Sequence, residues 1–201
     1  MSSAPTRHQV LREATLAAHR RLDHHPVLTG LLRAPVKAHA LWLALRALQE
    51  PQRQLEALPE GWVARGWLAA RWSALQADLA DVAKLIAQPL GIPSASTASA
   101  ALSAPPPWPT TPEHQDAAGY LLMGSMMGAR VIHAHVLRHG TPGLPLRFFA
   151  PTAQPVAPQA LQWLAHAAPH TAQWDATVSA ALSGFAWIHA WLDAAWAAQS
   201  S

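Results

Sequence analysis

The sequence contains no cysteine in its 201 residues. That excludes disulfides, thiolate metal sites and a cysteine nucleophile, and it leaves the redox compartment open. β-Branched residues are sparse and mostly isolated, while alanine, leucine and tryptophan dominate; this balance favours helices over sheet. No apolar run is long enough for a bilayer, since the longest, around 117–129, is short and broken by glycine. The N-terminal "MSSAPTRHQV" lacks the apolar centre of a secretion signal. No membrane association and a cytoplasmic location are therefore expected. Acidic residues number only eleven against fourteen Lys and Arg, giving a net charge of +3 and a pI near 10.2. The basic excess is thinly spread, with Arg20-Arg21 its only doublet. That is a poor footprint for nucleic acid, so no nucleic-acid partner is expected. Phosphate-cradling and nucleophile-elbow motifs are missing as well. No Glu-x-x-His pair is available for a di-iron carboxylate bundle.

What is present reads as helix. The length suits one domain with a sizeable core. Helices are expected over about 7–24, stopped by Pro26, and from near Val36 through "HALWLALRALQE", with Pro51 kinking the second. Residues 61–88 read as one long helix with Trp67, Leu68, Leu75, Leu79 and Leu85 near a stripe. A proline-, serine- and alanine-rich stretch, 89–112, is expected to be a loop or crossover within the same domain. Further helices are expected over roughly 113–139, 158–167 and 171–197, with a loop at "FFAPTAQPVAP" between the first two.

Within the 113–139 segment, Tyr120, Gly124 and Gly128 recur every four residues and share one helix face. Glycine inside a helix costs about 1 kcal/mol relative to alanine, so the pair needs a reason. One reason is close packing of a second helix, for which small-xxx-small faces are common. The other is a flat ligand lying on bare backbone, with Met123, Met126 and Met127 as soft walls. His19 is the second candidate. It is flanked by alanines, with Thr15 one turn before and Asp23 one turn after. It reads either as a core or boundary histidine or as a ligand whose far ring nitrogen Asp23 holds. Arg12, two turns upstream, is placed to meet an anionic group. His135/His139 and His166/His170 have i, i+4 spacing without an acidic partner and read as solvated or boundary residues.

Taken together and in order, "LREATLAAH", "GSMMGAR" and "FAWIHAWL" resemble the heme oxygenase family. The likeness is closer to its bacterial branch, some members of which accompany bacteriophytochromes. "ALQEPQRQL", "RWSALQADLADV", with Leu75, Asp78 and Leu79, and "RFFAP" are similar to further segments of that family. The resemblance implies an all-α, single-domain multi-helix bundle of the heme oxygenase type. It implies His19 as the axial ligand of heme iron, with Thr15 beneath the same ring face. It places Gly124, Ser125 and Gly128 on the distal helix, and Arg12 and Tyr120 where bacterial relatives contact heme propionates. Ser125 falls at the position of the acidic residue that organises distal water in vertebrate enzymes. The implied reaction is oxidative cleavage of heme to biliverdin, with release of iron and carbon monoxide. It uses O2 and electrons from an external donor such as a ferredoxin or a reductase, and a bacteriophytochrome is a compatible recipient of the product. Met123 departs from the branch, which has glutamate there. That departure keeps open a heme-binding or sensing protein of the same fold without turnover, in which Met123 is a second iron ligand. A helical relative that binds no heme is the third reading.

Overall fold

The computed structural model describes residues 4–90, 110–150 and 156–199. Among them are seven α-helices and no strand: α1 (Arg7–Asp23), α2 (Pro26–Thr29), α3 (Ala38–Glu56), α4 (Trp72–Leu90), α5 (Pro112–His139), α6 (Pro158–Ala165) and α7 (Ala172–Ala197). A single 3-10 turn at Gly30–Leu32 follows α2. The all-α expectation holds. No helix among the described residues is long and apolar enough to cross a membrane. Of the stretch read as a loop, residues 91–109 lie outside the described residues, as do 151–155 of the later one.

The α7 helix organises the rest. Its sequence carries no lysine or arginine, and buried residues from Trp174 to Ala195 occur around much of its circumference. A helix apolar nearly all round is stable only when surrounded. Accordingly α1, α2, α3 and α5 all pack on it. Two buried clusters result. One is built on Leu11, Leu122, Ala181 and Phe185, the other on Leu41, Leu45, Leu75, Val82 and Leu192. Leu22 and Ile188 pack against both and join them.

Local chemistry sets the helix ends. Thr6 caps α1 by accepting from Gln9 N at 3.2 Å, while Gln9 Oε1 accepts from Thr6 N at 2.7 Å. This reciprocal pair satisfies two otherwise orphaned donors. Arg20 and Arg21 sit in the last turn, where cations oppose the helix dipole. Pro51 lies inside α3, which runs on through it to Glu56.

The long helix expected over 61–88 does not form as one piece. Helix α4 begins only at Trp72, and residues 61–68 make turns and bends that 69–71 continue without regular structure. Gly66 has φ +72°, a left-handed conformation that stops a right-handed helix and suits glycine. Turning the chain there sends Trp62 into the core, 1% exposed, with its indole N–H donating to Asp116 Oδ1 at 3.1 Å. The stripe expectation mixed both segments: Trp67 and Leu68 belong to the turns, and Leu85 is 39% exposed while Val82 is buried.

Trp62 explains a glycine that the sequence pattern passed over. A Cβ added to Gly119 of α5 would meet the indole at 2.1 Å. Gly119→Ala is therefore expected to destabilise the fold by about 3 kcal/mol through overpacking, read as a fall in the denaturant midpoint with unchanged slope. An unaltered midpoint would refute this packing.

Candidate functional site: a groove between α1 and α5

Helices α1 and α5 both lean on α7, yet no Cα of one comes within 8 Å of the other. The space between them is a groove bridged by side chains, and it is where the candidate residues meet. His19 projects from α1 and is half-buried. Its ring packs on Phe185 of α7 with centroids 4.3 Å apart. Its Nε2 lies 3.5 Å from the Tyr120 hydroxyl of α5. Its Cε1 lies 3.6 Å from where a Gly124 Cβ would stand.

The hydrogen-bond directions follow from donor counting. Thr15, fully buried, donates its hydroxyl proton to Leu11 O at 2.7 Å. Its oxygen is then the acceptor for Tyr120, whose hydroxyl is 3.1 Å away. Tyr120 has one proton, and the nearer Thr15 takes it. Nε2 of His19 thus keeps only a long, weak contact. Burial lowers the His19 pKa below its ordinary value, and the Asp23 carboxylate opposes this through space. The neutral imidazole so favoured is the form that ligates metals.

Asp23 is exposed and makes no hydrogen bond to His19; its influence is charge alone. Arg12 is exposed and acts on Tyr120 the same way, favouring the phenolate, while burial dominates and raises the Tyr120 pKa. Tyr120 itself is 5% exposed and turned towards Thr15 and His19. Among the methionines, Met123 and Met126 are buried in the core cluster, and Met127 stands 64% exposed on the face that carries Gly124. Val131, one turn further along that face, is 62% exposed.

The glycine stripe is not a helix–helix contact. A Cβ on Gly128 would meet nothing within 4 Å, and one on Gly124 would meet only the His19 ring. Close packing of a neighbouring helix therefore does not account for either residue. Bare backbone faces the groove at Gly124 and open space at Gly128.

On its other flank α5 meets Arg71, which the sequence reading did not single out. The guanidinium donates to Ser125 Oγ and lies over the Phe148 ring, 4.8 Å from its centroid. The Ser125 hydroxyl donates to Leu122 O at 2.7 Å. Phe148 is itself held by fully buried Asp78, which accepts from Phe148 N at 2.8 Å and from Arg147 Nη1 at 3.3 Å. Burial raises the Asp78 pKa, and these donors pull it back. The one available signal for Arg71 was its place, a lone cation closing the apolar run "GWLAAR".

The residue types suit the heme that the resemblance implies: a neutral imidazole, Gly124 facing it with nothing else near its Cβ position, and Gly128 open one turn on. The spacing is that of a closed groove. A macrocycle between His19 and Gly124 needs about 2 Å for the metal–nitrogen bond and about 3.5 Å of carbon contact beyond it. The imidazole already stands 3.6 Å from the Gly124 Cβ position, so α5 or the ring must move outward to admit one. No α1–α5 backbone interface has to break for that.

Three other places stand apart from this site. His25, His189 and Asp193 bring ligand atoms within 4.8 Å of one another. However, His25 Nδ1 accepts from Val27 N at 3.2 Å, so in the neutral ring Nε2 carries the proton, which it donates to Asp193 at 3.1 Å. A nitrogen so protonated is not a metal ligand. The His135 and His139 rings lie tilted against each other with centroids 4.6 Å apart and have no carboxylate beside them among the described residues. An apolar pocket of about 400 Å³, lined by Val10, Trp174, Val178 and Leu182, opens off α1 on the side away from His19. None of the candidate residues lines it.

Two outcomes are expected. Asp23→Asn removes the charge that raises the His19 pKa, so the ring should titrate lower still by NMR; a rise would contradict the placement. Gly128→Ala, with open space before it, should stabilise the protein by about 0.5–1 kcal/mol. A loss of stability would mean that the face is packed after all. No protein-family model matches the chain, and no curated protein matches it.

Proposed function

We propose that the groove binds heme through His19 and that the protein is a heme-degrading oxygenase. The observation that carries this reading is the pairing of a desolvated imidazole with bare α5 backbone at Gly124 and Gly128. Bound there, heme supplies the redox iron and is also the substrate, opened to biliverdin with loss of iron and carbon monoxide at the expense of O2 and external electrons.

The protein's own residues have separable tasks in this reading. His19 offers Nε2, which its contact with Tyr120 leaves nearly free. Thr15 gives its own proton to Leu11 O and accepts that of Tyr120, so the phenol does not compete for that nitrogen. Gly124 and Gly128 keep carbon off the face opposite the imidazole. Met127 and Val131 on α5 and Leu16 on α1, at 64%, 62% and 42% exposed, are apolar side chains on the two flanking helices that suit a flat hydrophobic ligand. Arg12 and Arg20 on α1 are exposed cations beside it, suited to carboxylates at the ligand's edge. A ferredoxin or reductase fits as electron donor, and a bacteriophytochrome as recipient of the product.

Of the two competing readings, the binder without turnover needs the Met123 sulfur on iron. Met123 packs in the core cluster, on a face of α5 away from Gly124. The closed gap beside Gly124 favours the other, a helical protein that takes no heme.

One equivalent of hemin is expected to give a Soret-band complex that His19→Ala loses or shifts. With ascorbate or a reductase, the band should give way to biliverdin absorption. An intact Soret band under reductant would refute turnover. A complex unchanged in His19→Ala would remove His19 as ligand, and failure of any complex to form would favour the heme-free reading.

A further inference from the structure

Arg71 is 4% exposed, but among the described residues no carboxylate oxygen lies within 4 Å of its guanidinium. Buried cations are ordinarily paired, because leaving one unneutralised is costly. The nearest acid, Glu56, is committed elsewhere. Its Oε1 accepts from Arg71 N at 2.6 Å and its Oε2 from Trp72 N at 3.0 Å, which caps the start of α4. It reaches the guanidinium only as through-space charge, and burial still brings the Arg71 pKa down to about 10.

The contacts that hold this cation aim it at α5. Phe148 covers one face of the guanidinium, and Nη2 donates to Ser125 Oγ. Because the Ser125 proton goes to Leu122 O, the hydroxyl has none to offer the groove. What stands behind Ser125 is therefore a buried guanidinium whose nearest carboxylate, Glu56, is bonded to backbone amides and not to the cation itself. Ser125 adjoins Gly124 and lies about 60° around the helix from Gly128, so this charge flanks the bare face.

We propose that Arg71 makes the α5 side of the groove anion-attracting: its guanidinium, anchored through Ser125, supplies the fixed positive charge for a small anion seated on the Gly124–Gly128 face. This rests on the heme reading above and adds a residue to it. In this role Arg71 is a positioning residue that acts on the anion through Ser125 and the intervening space. A purely structural staple from α4 to α5 would use the same bonds, so the test must separate charge from shape.

Wild type, Arg71→Met and Arg71→Lys are loaded with hemin and titrated with azide and, separately, with neutral imidazole, followed by absorption. Arg71→Met is expected to weaken azide binding by about ten-fold, the effect of one charge several ångströms away in a protein-like dielectric. Imidazole affinity should change by less than about two-fold, and Arg71→Lys should recover most of the azide affinity. Equal weakening of both ligands, or no change in either, overturns the proposal. If Arg71→Met does not fold, Arg71→Lys against Ser125→Ala decides. The lysine variant should keep azide affinity and the alanine variant lower it, and the reverse order overturns the proposal. Absence of any His19-dependent complex in the wild type overturns the heme reading itself, and Arg71's role with it.

Discussion

One helix with no lysine or arginine dictates the rest. Because α7 is apolar around most of its circumference, it is stable only when covered, and α1, α2, α3 and α5 pack on it. Helices α1 and α5 take adjacent places on it and are held apart by its width, so no Cα of one lies within 8 Å of the other. The groove between them is a by-product of that competition for α7. Phe185, from the same helix, presses against the His19 ring inside it.

Polar chemistry then decides what the groove presents. Along one wall a chain runs from Tyr120 to Thr15 to the Leu11 carbonyl, ending in a backbone acceptor and leaving His19 with little claim on its Nε2. Along the other, Asp78 fixes the backbone of Phe148, Phe148 covers Arg71, and Arg71 reaches Ser125. Each chain satisfies buried groups that would otherwise be costly. Each also leaves one group short of partners, the imidazole on one side and the guanidinium on the other, and the two flank a surface without side chains.

Much of this could be read before folding. Pro26 after α1 stops that helix in a way that local chemistry makes visible, whereas the Thr6 cap at its start emerged only with the structure. The face shared by Tyr120, Gly124 and Gly128 follows from spacing alone, and so does the place of His19. What stayed hidden depended on distance in sequence. Gly66 breaks a stretch whose periodicity argues for helix, and only the burial of Trp62 against Gly119 explains why the chain turns there. The two readings of the glycine stripe could not be separated by spacing, since both need small residues four apart. They differ in whether another helix is present. Arg71 showed only as a lone cation closing an apolar run, because its partners come from α5 and from the segment after it.

The start of α1 is also stitched to the segment between α6 and α7. Ala168 N donates to Pro5 O and Arg7 N donates to His166 O, each at 2.9 Å, and α1 lies along α7. Contacts this far apart along the chain are slow to form. During synthesis α1 emerges long before α7, so it must wait on the ribosome without its permanent cover. Its apolar stripe, Leu11 and Leu22 included, is then left uncovered. Only when α7 is released can the groove and its histidine come into being, in a single late event.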